Sequence, residues 1–174
     1  MTPISNVNLL SKPFLRDLRS DHAGEAGAVM IYKGILAITK DQELRSFAFA
    51  HLQTEQKHLA FFDSWLPKRK QSKLLPLWRF SGFLLGFFAA MGTKSLVYFT
   101  IKIVEQFVVE HYESQLCQAP EFFRETLLEL QSEEKEHQLE AEAHHIGDEI
   151  AFLKLWGALV DNGSRLAVKV ARLI

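Results

Sequence analysis

The chain has a single cysteine, Cys117, so it forms no internal disulfide, and a lone thiol fits a reducing compartment. With no second cysteine beside it, Cys117 reads as a packing residue. Neither sign of charge dominates: 20 Lys and Arg stand against 21 Asp and Glu, a net charge of −1. That argues against a nucleic-acid binder, which usually shows a basic stripe. No stretch alternates β-branched and polar residues, so strands are not expected. No glycine-rich nucleotide fingerprint is present. The chain does not open on a charged segment followed by an apolar one, nor on an Arg- and Ser-rich leader. The expectation is a bacterial cytosolic chain or an already trimmed mature form. The longest uninterrupted apolar run, residues 82–92, is 11 residues. As a helix it reaches about 17 Å, short of a ~30 Å hydrocarbon core.

What the sequence does have is a short pattern that recurs. Glu55-Gln56-Lys57-His58 and Glu134-Lys135-Glu136-His137 each set a carboxylate and an imidazole three residues apart. On a helix, positions i and i+3 share a face, so the pair can grip one metal ion. With 15 Glu and 7 His in 174 residues, chance supplies about 0.6 such matches. Three are present. The third, Glu142 with His145, reads as a solvated helix face. The first two are set apart by a glutamate upstream at a matched distance: Glu25 lies 30 residues before Glu55, and Glu105 lies 29 before Glu134. Four glutamates and two histidines on four helices form the ligand set of a carboxylate-bridged di-iron site. A buried glutamate costs several kcal/mol unless it is paired or metal-bound. Four carboxylates carry −4, which two divalent iron ions cancel, and this donor set suits iron or manganese. Solvated glutamates and core histidines would explain one such helix, but not six residues in register.

The elements follow from periodicity and punctuation. Pro13 fits the first turn of a helix that runs to about Thr39, with Leu15, Leu18, His22, Glu25, Val29 and Tyr32 on one face. Asp41 caps a second helix carrying Phe47, His51, Glu55, His58 and Phe62, and Pro67 ends it. A basic segment with Lys68, Arg69, Lys70, Lys73 and Arg79 precedes the apolar third helix. That helix either packs in the core or dips into one leaflet of a membrane, and Phe87, Phe88 and the cations favour the membrane. The same patch could wall a channel for an apolar substrate. A fourth helix runs from near Thr93 to about Cys117, and Pro120 opens a fifth with Leu127, Leu130, Glu134, His137 and Ala141. Gly147 suits a C′ position and Asp148 an N-cap. The sixth helix shows Leu153, Trp156, Leu159, Val160 and Leu166. Residues 14–66 and 93–146 look like an internal repeat of helix pairs. The fold expected is an all-α, ferritin-like four-helix bundle with two additional helices, one in the long apolar crossover and one C-terminal. Residues 1–174 make a single di-iron domain.

Asp21-His22-Ala23-Gly24-Glu25-Ala26-Gly27-Ala28 with Tyr32, together with Leu75-Pro76-Leu77-Trp78, Val104-Glu105, His111-Tyr112 and both Glu-x-x-His patterns, resembles the demethoxyubiquinone hydroxylases. The resemblance spans nearly the whole chain. It implies an O2-dependent di-iron monooxygenase of ubiquinone biosynthesis that hydroxylates the ring of 2-polyprenyl-3-methyl-6-methoxy-1,4-benzoquinone. Glu25, Glu55, His58, Glu105, Glu134 and His137 hold two Fe2+ ions, and electrons come from NADH or a quinol. In the usual arrangement the glutamates of the two Glu-x-x-His patterns bridge, and Glu25 and Glu105 are terminal. The resemblance also implies a peripheral protein on the cytoplasmic face of a bacterial inner membrane or the matrix face of the mitochondrial inner membrane. A lipid-binding partner protein and a homodimer are the protein partners to look for. Gln106 and Glu110 depart from the acidic and histidine-like residues expected there. Asp21, His22, Gln106 and His111 are candidates to support the ligands. Tyr112 and Arg165 resemble a family pair linked to electron delivery, though packing roles suit them better. The competing readings are a tRNA-hydroxylating ferritin-like enzyme, which would want a basic groove, and a ferritin-type iron store.

Overall fold

The computed structural model describes residues 10–145, 147 and 151–174. Among them are six α-helices and no strand: α1 (Lys12–Ile38), α2 (Gln42–Trp65), α3 (Leu75–Met91), α4 (Lys94–Gln115), α5 (Glu121–His144) and α6 (Ala151–Ala171). Local chemistry sets most of the boundaries. The Ser11 side chain accepts from the Phe14 N–H and caps α1, with Pro13 in its first turn. Asp41 Oδ1 accepts from the Leu44 N–H at 2.8 Å to open α2, and Thr93 does the same for α4 through Leu96. Leu66 closes α2 just before Pro67. Pro120 stands immediately before α5. Gly147 takes a φ of 114°, but it lies two residues past the α5 cap, His145, rather than one. The expected N-cap Asp148 lies outside the described residues.

The helices group into two compact units. One runs through Met91 and includes Ala167–Ile174; the other is Gly92–Leu166. In the first unit α1 and α2 are antiparallel. Tyr32 meets His51, Glu25 meets His58, and His22 meets Asp63, so the paired numbers rise on one helix as they fall on the other. Helix α3 lies along α1 in the same direction, with Gly82 against Gly27 and Gly86 against Ile31. Only glycine allows backbones to approach that closely. Sandwiched in this way, α1 buries residues on almost every side, including Phe14, Leu18, Ala26, Tyr32 and Ile35.

In the second unit α4 and α5 are antiparallel. Gln131 Nε2 donates to the Val109 carbonyl and to Glu113, and Lys102 pairs with Glu142. Helix α6 runs along α4: Trp156 donates to Thr100 Oγ1 at 2.9 Å, and Gly157 sits against the Phe99 ring. This contact turns the buried face of α6 toward Gly157 and Val160. Leu159 and Leu166, two of the apolar residues that mark this helix in the sequence, are 62% and 63% exposed. Cys117 is also exposed rather than packed, because α4 has ended by Gln115 and the thiol lies in the turn that follows.

Candidate metal centre

Each unit buries three of the six expected ligands. In the first unit, α1 supplies Glu25 and α2 supplies Glu55 and His58, with exposures of 4%, 1% and 3%. Each offers a ligand atom within 4.8 Å of the others. The His58 ring Nδ1 is 3.7 Å from Glu25 and 3.9 Å from Glu55. The second unit repeats the pattern. Glu105 comes from α4, and Glu134 and His137 from α5, all buried, with ligand atoms again within 4.8 Å. His137 Nδ1 lies 3.3 Å from Glu134. In both halves an antiparallel helix pair brings a lone glutamate opposite a one-turn Glu-x-x-His. The tandem pattern in the sequence is therefore a tandem pattern in space.

Two carboxylates and one imidazole, shut away from water, make a hard-to-borderline donor set. It matches a divalent first-row ion such as iron or manganese, with no thiolate to favour zinc. The two carboxylates carry −2, which one such ion per triad cancels. Without a cation that charge is costly at this depth.

The residues expected to support the ligands divide. Asp21 is buried, and His22, 1% exposed, sets its Nε2 2.9 Å from Asp63 Oδ1. Gln106 is exposed and donates to Glu110, away from any ligand role. His111 stacks on Phe107 at 5.8 Å and is half-buried. Tyr112 is buried in the core. Arg165 lies over the Phe107 ring and pairs with both Glu110 and Asp161, which raises its pKa and ties α6 to α4. The third Glu-x-x-His behaves differently at its two ends. Glu142 is exposed and paired to Lys102, while His145 is half-buried with its Nδ1 2.8 Å from Ser95 Oγ.

Two further contacts carry no sequence signal. One is Asp63, which also accepts from Gln71 at 3.0 Å. The other is the buried Tyr32–His51 pair, with Oη and Nδ1 3.2 Å apart. Neither has a motif spacing. Both could have been placed only by extending the antiparallel register that Glu25 and His58 define.

Paired helices that bury a Glu/Glu-x-x-His triad place the chain among helical proteins whose carboxylates and histidines fit a metal site. Comparison narrows the class. Residues 14–171 match the model of the family Ubiquinone biosynthesis protein COQ7. The chain is 34% identical to the 3-demethoxyubiquinol 3-hydroxylase of Rhodospirillum rubrum over 90% of its own length and 76% of that protein's. It is 29% identical to the mitochondrial NADPH-dependent 3-demethoxyubiquinone 3-hydroxylase of Dictyostelium discoideum, over 97% of this chain and 81% of that one. A mouse protein of the same description matches over 70% of this chain at 30% identity. The chain belongs to the COQ7 family and has its ferritin-like helical fold.

Proposed function

We propose that this chain is a hydroxylase of the demethoxyubiquinone ring. In this reading two iron ions are held by Glu25, Glu55, His58, Glu105, Glu134 and His137. Residues 1–174 act as one di-iron domain, each compact unit giving half of the ligands. The observation that carries this reading is the duplicated, buried triad. One such triad would bind one ion; two of them supply the four carboxylates and two imidazoles of a dinuclear centre. The family membership and the printed activities of the relatives point to the same substrate ring.

Two ferrous ions bound there supply the reducing power that activates O2. The protein's own residues do the rest. Glu25, Glu55, Glu105 and Glu134 would hold the two ions through their carboxylates, with His58 and His137 each giving a ring nitrogen. His58 and His137 stay neutral so that the donor charge remains −4. On the ligand-bearing helices, Leu18 and Phe62 in the first unit and Leu127 and Leu130 in the second are buried, and such apolar side chains keep bulk water away, which strengthens electrostatic contacts inside and limits wasteful side reactions. The electron donor is a nicotinamide or a quinol; the name of the Dictyostelium relative specifies NADPH for that protein.

A polyprenyl quinone lives in a bilayer, and the first unit carries a surface suited to one. Leu77, Phe80, Phe88 and Met91 on α3 are 48–62% exposed. Exposed Lys68, Arg69, Lys73 and Arg79 stand in the segment leading into and along that helix. No helix among the described residues is long and apolar enough to cross a membrane. A peripheral site on an anionic leaflet, on the cytoplasmic side in a bacterium or the matrix side in a mitochondrion, fits these features.

The test is reconstitution. The metal-free protein is loaded anaerobically with ferrous iron, given demethoxyubiquinol and exposed to 18O2. Two irons per chain and one labelled oxygen on the ring are expected. Many irons per chain with an unchanged ring would favour an iron store and overturn this reading.

A further inference from the structure

The proposed ligands are closed to solvent, yet their reaction consumes protons. A ring C–H, O2, two electrons from a nicotinamide or quinol donor and two protons give a ring C–OH and one water. Protons bound for such an interior must travel on protein groups.

In the first unit, one pair of titratable side chains leads from solvent inward. Asp63, in the last turns of α2, has a side chain 52% exposed. Its Oδ1 is 2.9 Å from Nε2 of His22, which is 1% exposed. His22 lies on α1 three residues before Glu25, one turn away on the same face. The other ring nitrogen of His22, Nδ1, is also buried and meets no hydrogen-bonding side chain or backbone group among the described residues. Gln71 fixes the carboxylate from outside: its Nε2 donates to Asp63 Oδ1 at 3.0 Å and to the Leu66 carbonyl at 3.2 Å.

Asp63 has a plain alternative role, anchoring the segment that follows α2. An anchor needs only an acceptor oxygen at that place. It does not explain an imidazole with one nitrogen on a solvent-reached carboxylate, the other turned into the protein, and a ligand one turn along.

We propose that Asp63 and His22 form a proton relay serving the metal centre. Asp63 takes a proton from solvent and passes it to Nε2 of His22. The ring releases the proton from its Nδ1 toward the oxygen atom that leaves as water, so its charge is the same before and after. A tautomer shift resets it. Both residues act through proton supply and touch neither the substrate ring nor its tail. This inference rests on the di-iron reading above.

The variants that test it separate anchoring from relaying. Asp63→Asn keeps an acceptor for Gln71 and His22 but carries no proton; Asp63→Glu keeps the acid and disturbs the geometry. With two irons bound as in the wild type, Asp63→Asn is expected to slow single-turnover hydroxylation at least about tenfold, a modest share of what general acids contribute. Its solvent deuterium isotope effect should rise, and Asp63→Glu should recover most of the rate. A readout independent of turnover comes from the metal-free protein. Long-range 1H–15N spectra of the His22 ring should show slower exchange with water in Asp63→Asn. An iron-loaded Asp63→Asn with the wild-type rate and isotope effect would overturn the relay while leaving the metal site intact. So would an Asp63→Glu variant as slow as Asp63→Asn, because restoring the acid would then not restore the rate. A wild-type chain that binds no iron would instead bring down the di-iron reading, and the relay with it.

Discussion

Burying two carboxylates beside an imidazole works against each unit until a cation neutralises them. Glu55 and Glu134 are each 1% exposed, where a charge loses several kcal/mol of hydration. Removing one of these charges should therefore stabilise the metal-free protein. Glu55→Gln is expected to raise its melting temperature by about 2–4 °C, the equivalent of ~1 kcal/mol for a chain of this size. The same variant should forfeit the gain on adding ferrous iron, which for a tight site reaches about 2.7 kcal/mol at a hundredfold excess over Kd. Calorimetry with and without metal measures both signs. A variant that melts lower without iron and still gains with it would remove Glu55 from the ligand set.

Away from the centre, Glu110 offers a residue-level test with a defined pH direction. The hydrogen bond from Arg165, then that from Gln106, holds its pKa below the ordinary glutamate value. A depressed folded-state pKa adds stability above the unfolded value and loses it as the pH falls through the folded one. Both side chains are nearly half exposed, so the contribution is under about 1 kcal/mol. Urea unfolding should show Glu110→Gln slightly less stable than the wild type at neutral pH. The difference should shrink as the pH falls below the ordinary glutamate range.

At the level of elements, the α1–α3 contact is the least forgiving feature. A Cβ added at Gly86 would press into the Ile31 carbonyl, and one at Gly82 into the Gly27 carbonyl. Backbone cannot step aside as a flexible side chain can. Gly86→Ala should cost about 3 kcal/mol or more, despite alanine's better helix propensity. At Gly163 in α6 an added Cβ meets nothing within 4 Å, so Gly163→Ala should stabilise by ~0.5–1 kcal/mol. Denaturation midpoints for the two variants should move in opposite directions. The sequence shows both glycines but not which of them faces a backbone. That difference marks the limit of what was legible. Helix starts were readable because Pro13, Asp41, Thr93 and Pro120 act within a few residues. The triads were readable because Glu-x-x-His is set by one helical turn. The outward turn of Leu159 and Leu166 was not, since periodicity does not say what lies against an apolar face: Phe152, Leu155, Leu159 and Leu166 recur at helical spacing and are all exposed. The approach of Gly157 to Phe99 selects the face. Asp63 was invisible for a related reason: its partner lies on another helix.

For the molecule as a whole, the end of the chain matters more than a helix terminus usually does. Helix α6 belongs to the second unit as far as Leu166, while its last residues return to the first. There Ala171 is 1% exposed, the Ile174 carbonyl accepts from the Lys73 N–H at 3.2 Å, and Arg172 pairs with Asp17. Asp17 is only 2% exposed, so losing its cation leaves a buried carboxylate unpaired. Breaking a fully buried pair costs about 3–5 kcal/mol. The Arg172 side chain is 34% exposed, and solvent screening brings the expected loss for Arg172→Ala to about 2 kcal/mol. Asp17→Asn combined with Arg172→Ala should recover part of it, because no stranded charge remains. The effect should also be local. Amide hydrogen exchange in the Arg172→Ala protein is expected to speed up along α1 and in the segment before α3, which this C-terminal strap contacts, and to stay at wild-type rates in α4 and α5. Equal loss of protection in both units would mean that they unfold together, and that the strap supports the entire chain rather than the half it touches.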